Sequence, residues 1–267
     1  MNSPQTQDWE ARWARPTAIA AFLAVIPLIG AEILRQAVVL DSPPSGDDPA
    51  YLRAVNDASA ALVASGVFRT LSFFVMVAVL LYLLKATQAR RPEVPSFVQP
   101  ILLAGPVLLL VAGVLSDLTT VDVADEFLAS GARTDARAED LRDDVPVFAV
   151  ALGSGGTLAF SLGFLFVSLN AMRVGLLSRF MGIIGVMIGV LFVFFTPLAA
   201  LLMVFWLPAL GLLLLDRWPG GRGPAWESGQ AEPWPSALER GREVEEPEPV
   251  PPEPEEQAPQ KRKRRGR

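Results

Sequence analysis

Six apolar runs, at residues 17–40, 62–84, 101–121, 147–171, 180–195 and 198–215, constrain this chain more than any other feature. Crossing a hydrocarbon core of ~30 Å takes about 20 apolar residues in a helix. Lipid offers no water to backbone N–H and C=O groups, so such segments bond internally as helices. With 51% hydrophobic residues, the chain is too apolar for a soluble domain that also carries a long charged end. The expected fold class is an all-α polytopic transmembrane helix bundle with six spans. The last two runs are short and meet at Thr196-Pro197. They form either a tight hairpin or one long broken element, and the latter needs extreme tilt to cross once.

Basic residues near the span ends set the orientation. With the N-terminus in the cytoplasm, the inner flanks hold Arg12, Arg15, Lys85, Arg90, Arg91, Arg173, Arg179, Arg217 and Arg222. The outer loops then hold Arg53, Arg133, Arg137 and Arg142. This excess on one side predicts an N-in/C-in protein. The first run is read as an uncleaved helix, since a signal peptide has a shorter apolar core and small residues at a cleavage site. The expected organisation is a cytoplasmic segment 1–16, a membrane domain 17–217 with an acidic outer loop 122–146, and a disordered cytoplasmic tail 218–267. Pro, Gly, Glu and Arg dominate that tail, which leaves little to bury.

Neither Cys nor His occurs in the chain. Disulfides, thiol chemistry, His-ligated metals and haem, and Ser–His or Cys–His catalysis are thereby excluded. No cofactor or metal site is expected, and no enzyme motif is recognisable. Of the 23 basic residues all but Lys85, Lys261 and Lys263 are arginine, a bias that hints at a GC-rich bacterial genome and so at a bacterial cytoplasmic membrane.

Charges inside a span need partners, because an ionised side chain at the bilayer centre costs about 2.5–3.5 kcal/mol on insertion scales. Glu32 in the first run and Arg69 in the second both fall about 11 Å below the outer surface at ~1.5 Å rise per residue. They are oppositely charged, which predicts an ion pair between adjacent helices. Arg35, three residues beyond Glu32, shares its face, and Asp117 is the second acid at that depth. The expected cluster of Glu32, Arg35, Arg69 and Asp117 is close to neutral. It serves either as an ion-pair lock between helices one to three or as an outward-facing site for a polar or zwitterionic ligand.

Two polar stripes accompany it. Ser65, Arg69 and Ser72 recur at i, i+4 and i+7, and Ser154, Thr157, Ser161 and Ser168 share one sector of the fourth span. Small hydroxylated residues permit close helix approach and hydrogen bonding, so packing is the expected role, and a solvated pathway would need the same stripe. Gly182, Gly185 and Gly189 form a third stripe, and Gly185 with Gly189 makes a GxxxG that offers a homo-oligomer contact. Pro27, Pro106 and Pro208 are expected to kink their helices. The run KRKRRGR, from Lys261 to Arg267, carries enough charge to touch anionic lipid. It lacks the aromatics that stack bases, so no specific nucleic-acid partner is expected. The lipid bilayer itself is the principal expected partner.

The segment Gly175-Leu-Leu-Ser-Arg179-Phe-Met-Gly182-Ile-Ile-Gly185 resembles one in a bacterial domain-of-unknown-function family of small multi-pass membrane proteins. There a Ser-Arg-x-x-Gly turn opens a glycine-striped helix. The resemblance spans about residues 12–217 and implies six or so transmembrane helices with no established activity. The function expected is a non-enzymatic membrane component packed around its polar cluster, the alternative being a small-solute or ion transporter that uses the cluster as its site.

Overall fold

A computed structural model describes residues 3–40, 48–129, 131, 134–142 and 147–234. The described residues are helical, with no strand among them. In chain order the helices are α1 (Ser3–Leu40), α2 (Asp48–Asp57), α3 (Ser59–Arg90), α4 (Val98–Ala129), α5 (Asp135–Arg142), α6 (Val147–Arg173), α7 (Arg179–Phe194), α8 (Thr196–Leu214) and α9 (Pro224–Ser228). Five of them, α1, α3, α4, α6 and α8, are long and apolar enough to cross a membrane. The 16-residue α7 is apolar but shorter.

The six long helices form a closed ring in which each packs against its neighbours in the order α1, α3, α4, α6, α7, α8 and back to α1. Successive helices are antiparallel. The Ser72 hydroxyl donates to the Ala24 carbonyl at 2.8 Å, and the Tyr82 hydroxyl to that of Glu10 at 3.1 Å. One residue number falls as the other rises, which defines the α1–α3 register. Trp206 Nε1 donates to the Met181 carbonyl at 2.9 Å, so α7 and α8 fold back on each other as a hairpin. Of the two arrangements open at Thr196-Pro197, the chain adopts this one.

Small side chains let these helices approach. α1 buries Ala14, Ala18, Ala21, Ala24 and Ala31 along one stripe. A Cβ added at Gly105 would lie 2.7 Å from the Phe160 nitrogen, and one at Gly156 would lie 2.9 Å from the Leu109 nitrogen, so α4 and α6 touch backbone to backbone. The middle of the ring is filled by Phe73, Phe160, Phe164, Phe192 and Trp206, with Phe160 and Phe192 centroids 4.9 Å apart. Outward faces stay apolar, with Ile19, Leu23, Ile26, Leu71, Phe74 and Phe205 exposed. A surface of this composition belongs in lipid.

The turn between α6 and α7 follows from its residues. Gly175 takes a left-handed φ of +83° at the end of α6, with Gly175 N–H on Met172 O and Leu176 N–H on Ala171 O, the Schellman pairing. Ser178 then caps α7, its hydroxyl accepting from Met181 N–H at 3.3 Å.

Two sequence expectations need correction. The expected acidic loop 122–146 is largely helical: α4 continues to Ala129 and α5 follows. Val123, Ala124 and Phe127 recur at helical spacing and bury with Leu52, Val55, Ala138 and Leu141 in a second small core. The described acids of this stretch face outward, where Arg137 pairs with Glu126 at 2.7 Å and Asp140 at 2.6 Å.

The expected disordered tail does not begin at 218, because residues 218–234 dock on the bundle end that carries the N-terminus. Tyr82 stacks between Trp9, at 5.2 Å, and Trp226, at 6.1 Å. Trp226 Nε1 donates to Leu176 O and Trp234 Nε1 to Gly175 O, each at 2.9 Å. Arg90 holds the arrangement together. Its side chain is fully buried, pairs in bidentate fashion with Glu10, and donates from Nε and Nη2 to Ala225 O at 2.9 and 2.7 Å. Two indole donors, Trp226 and Trp234, and one carbonyl acceptor, Ala225 O, hold these 17 residues, too few contacts to show through a Pro/Gly-rich composition. Residues 235–267, including the basic run, lie outside the described residues.

Removing one partner of a buried ion pair strands the other and costs about 3–5 kcal/mol. Glu10→Ala is therefore expected to destabilise the fold by about that amount, seen as a large fall in the melting temperature of the detergent-solubilised protein. Glu10→Ala combined with Arg90→Met should recover much of the loss.

Candidate functional site

Arg69 on α3 and Asp117 on α4 line a cavity of about 310 Å³ closed on its third side by α6. Antiparallel α3 and α4 bring their side chains into reciprocal register. A methyl group on Gly66 would collide with the Asp117 carboxylate, and one on Gly113 would lie 3.9 Å from Arg69 Nη2. Each helix thus gives up a side chain where the other presents its charge. Ala112, Ala149 and Gly153 are equally small, and with nothing larger to fill the space the helices leave a hollow. Ser116, Thr70 and Thr157 contribute hydroxyls, and Phe73 floors the cavity toward the aromatic core.

Both charged groups are half-buried. Among the described residues, neither Arg69 nor Asp117 makes an ion pair or a hydrogen bond. An unpaired guanidinium within a span is costly unless water or a ligand reaches it. Its planar fork suits a carboxylate or phosphate, and the carboxylate beside it suits an ammonium.

The four expected cluster residues separate into two sites. Glu32 does not pair with Arg69. It pairs with Arg35 one turn along its own helix, at 2.9 Å from Nη2 and 3.2 Å from Nε, with side chains 61% and 46% exposed. The two side chains face different neighbours. Phe68 is the residue α3 turns toward α1, lying 3.8 Å from a Cβ built on Gly30. Arg69, one residue and ~100° further round the helix, points toward α4 instead.

The serine and glycine stripes divide as well. Thr157 lines the cavity, while Ser154 is exposed. Ser161 donates to the Gly189 carbonyl, and Ser168 is buried against Gly185 with its hydroxyl unpartnered. Gly182, Gly185 and Gly189 are buried against α6 of the same chain. Ser72 bonds α1, and Ser65 bonds back to Leu62 O. Sequence reasoning missed Thr70, Ser116, Gly66 and Gly113. The signal available was a glycine one helical turn from each buried charge, Gly66 before Arg69 and Gly113 before Asp117. No group of three or more acidic, His or Cys side chains suited to a metal occurs among the described residues.

Compared with known proteins, the chain matches no family model, no curated protein and no solved structure. The reading of the site accordingly rests on its own chemistry.

Because the chain has no native Cys, an introduced thiol is labelled uniquely. Ser116→Cys should react with a charged, membrane-impermeant thiosulfonate within minutes, whereas Val77→Cys, buried in the core, should stay unlabelled over the same period. Mass spectrometry reads the adduct.

Proposed function

We propose that this is a non-enzymatic integral membrane protein of a bacterial cytoplasmic membrane that binds a small anionic or zwitterionic solute between α3, α4 and α6, as a carrier or a solute-sensing component. The single observation that supports this is the half-buried Arg69 guanidinium, without a salt bridge among the described residues, beside the Asp117 carboxylate in a hollow lined by Ser116 and Thr157. An ion-pair lock has no need of such a hollow. α7 is taken as a sixth, short span, about 24 Å long at 1.5 Å per residue, completing the ring. Both termini lie in the cytoplasm, in line with the basic residues gathered at the end where residues 218–234 dock. The cavity then faces the outer half of the bilayer.

Arg69→Gln should abolish the solute-dependent rise in melting temperature when the purified protein is screened against amino acids, betaines and short carboxylates. Asp117→Asn should spare carboxylates and weaken zwitterions by about tenfold, the value of one charge-assisted hydrogen bond near 1.4 kcal/mol. A solute response unchanged by Arg69→Gln returns the protein to the packing role. Impermeant labelling of a cysteine placed at Ser228 in intact cells tests the orientation, and labelling there contradicts it.

A further inference from the structure

Two cavities adjoin at the bundle end where residues 218–234 dock, and both are bounded by Trp9 and Lys85. The first, of about 450 Å³, runs between α1 and α3 toward the middle of the bundle. Its walls are apolar, and it exists because Ala20 and Ala78 are too small to close the furrow between the two helices. The second, of about 380 Å³, continues past the helix ends and is lined by Thr6, Gln88 and Pro92. The pair is therefore amphiphilic: a greasy channel, then a cation, then a recess of mixed lining in which Thr6 and Gln88 supply the polar groups.

The cation is available. Lys85 sits with Nζ 4.1 Å from the centre of the Trp9 ring and has no ion-pair partner among the described residues. Of the acids close by in sequence, Glu10 is committed to Arg90 and Glu93 to Arg91, while Asp8, next to Trp9, is exposed on α1. Thr6 and Gln88 make no hydrogen bond among the described residues. Trp9 and the half-exposed Trp13 line the first cavity, and Trp is the residue type enriched at the headgroup level of membrane proteins.

We propose that these adjoining cavities bind one molecule of an anionic phospholipid. An acyl chain lies along Ala20 and Ala78, the phosphate meets Lys85, and a hydroxylated headgroup meets Thr6 and Gln88. A zwitterionic lipid would bring its own cation to Lys85 and bind less well. This inference needs the helices to lie in lipid, and it is independent of any solute at Arg69.

The test is native mass spectrometry of the full-length protein in detergent, with equal amounts of phosphatidylglycerol and phosphatidylcholine of matched chains. Phosphatidylglycerol should be retained about fivefold or more over phosphatidylcholine, the factor one basic residue near an anionic surface supplies. Lys85→Gln should erase that preference. Ala78→Trp, which fills the furrow and keeps Lys85, should lower retention of both lipids. Arg69→Gln should change neither. Equal retention of the two lipids overturns the proposal. So does a preference that survives Lys85→Gln, as it would if basic residues 261–267 were responsible. Displacement by soluble glycerol phosphate would assign the recess to a free anion and likewise overturn it.

Discussion

Close approach between antiparallel helices is the constraint on which this molecule depends. Lipid gives helices no hydrophobic reason to associate, so van der Waals fit and interhelical hydrogen bonds must hold them. Gly105 and Gly156 supply that fit between α4 and α6, Gly182 and Gly189 between α6 and α7, and Gly211, whose added Cβ would lie 2.9 Å from the Phe22 ring, between α1 and α8. Each contact fixes a register, and register decides which polar groups meet.

Polar groups consequently fall into different regimes. At the docked end, Glu10 and Arg90 are sealed from solvent and from lipid, bonded to one another and to Ala225 O, and enclosed by Trp9, Tyr82 and Trp226. Neither of these two groups is free to bind a solute. At the other end, Arg69 and Asp117 are in register but form no salt bridge among the described residues, and small residues leave space around them. Buried charges that are fully satisfied hold a structure, while those left unsatisfied beside a hollow invite a ligand. That contrast within one bundle assigns the two ends different roles.

The aromatic residues mark a second division. Phe73, Phe160, Phe164, Phe192 and Trp206 fill the ring and are hidden from lipid. Trp9 and Trp13 border the furrow between α1 and α3. The same residue type serves as filling in one place and as the border of a furrow in the other, according to whether its neighbours on the adjacent helix are large or small.

Much of this was legible from residue order. Apolar runs of bilayer length, with no alternative for their backbone polar groups, dictate helices, and all six runs lie within helices of the ring. Ser178 and Gly175 announce the α6–α7 turn through local capping chemistry alone. The pairing of Glu32 was not legible, because hydropathy and rise per residue give depth but not the angle at which a helix faces its neighbour. That angle came from Phe68 seating against Gly30, a contact between segments far apart in the chain. The docking of 218–234 was hidden for the same reason: Trp226 and Trp234 find carbonyls at Leu176 and Gly175 that only the folded turn exposes. Sequence determined that this chain makes apolar helices and where their apolar stretches lie, since those are local consequences of solvation and backbone bonding. Tertiary structure decided which charges are locked together and which face a hollow, since that depends on the rotation and register of helices against one another.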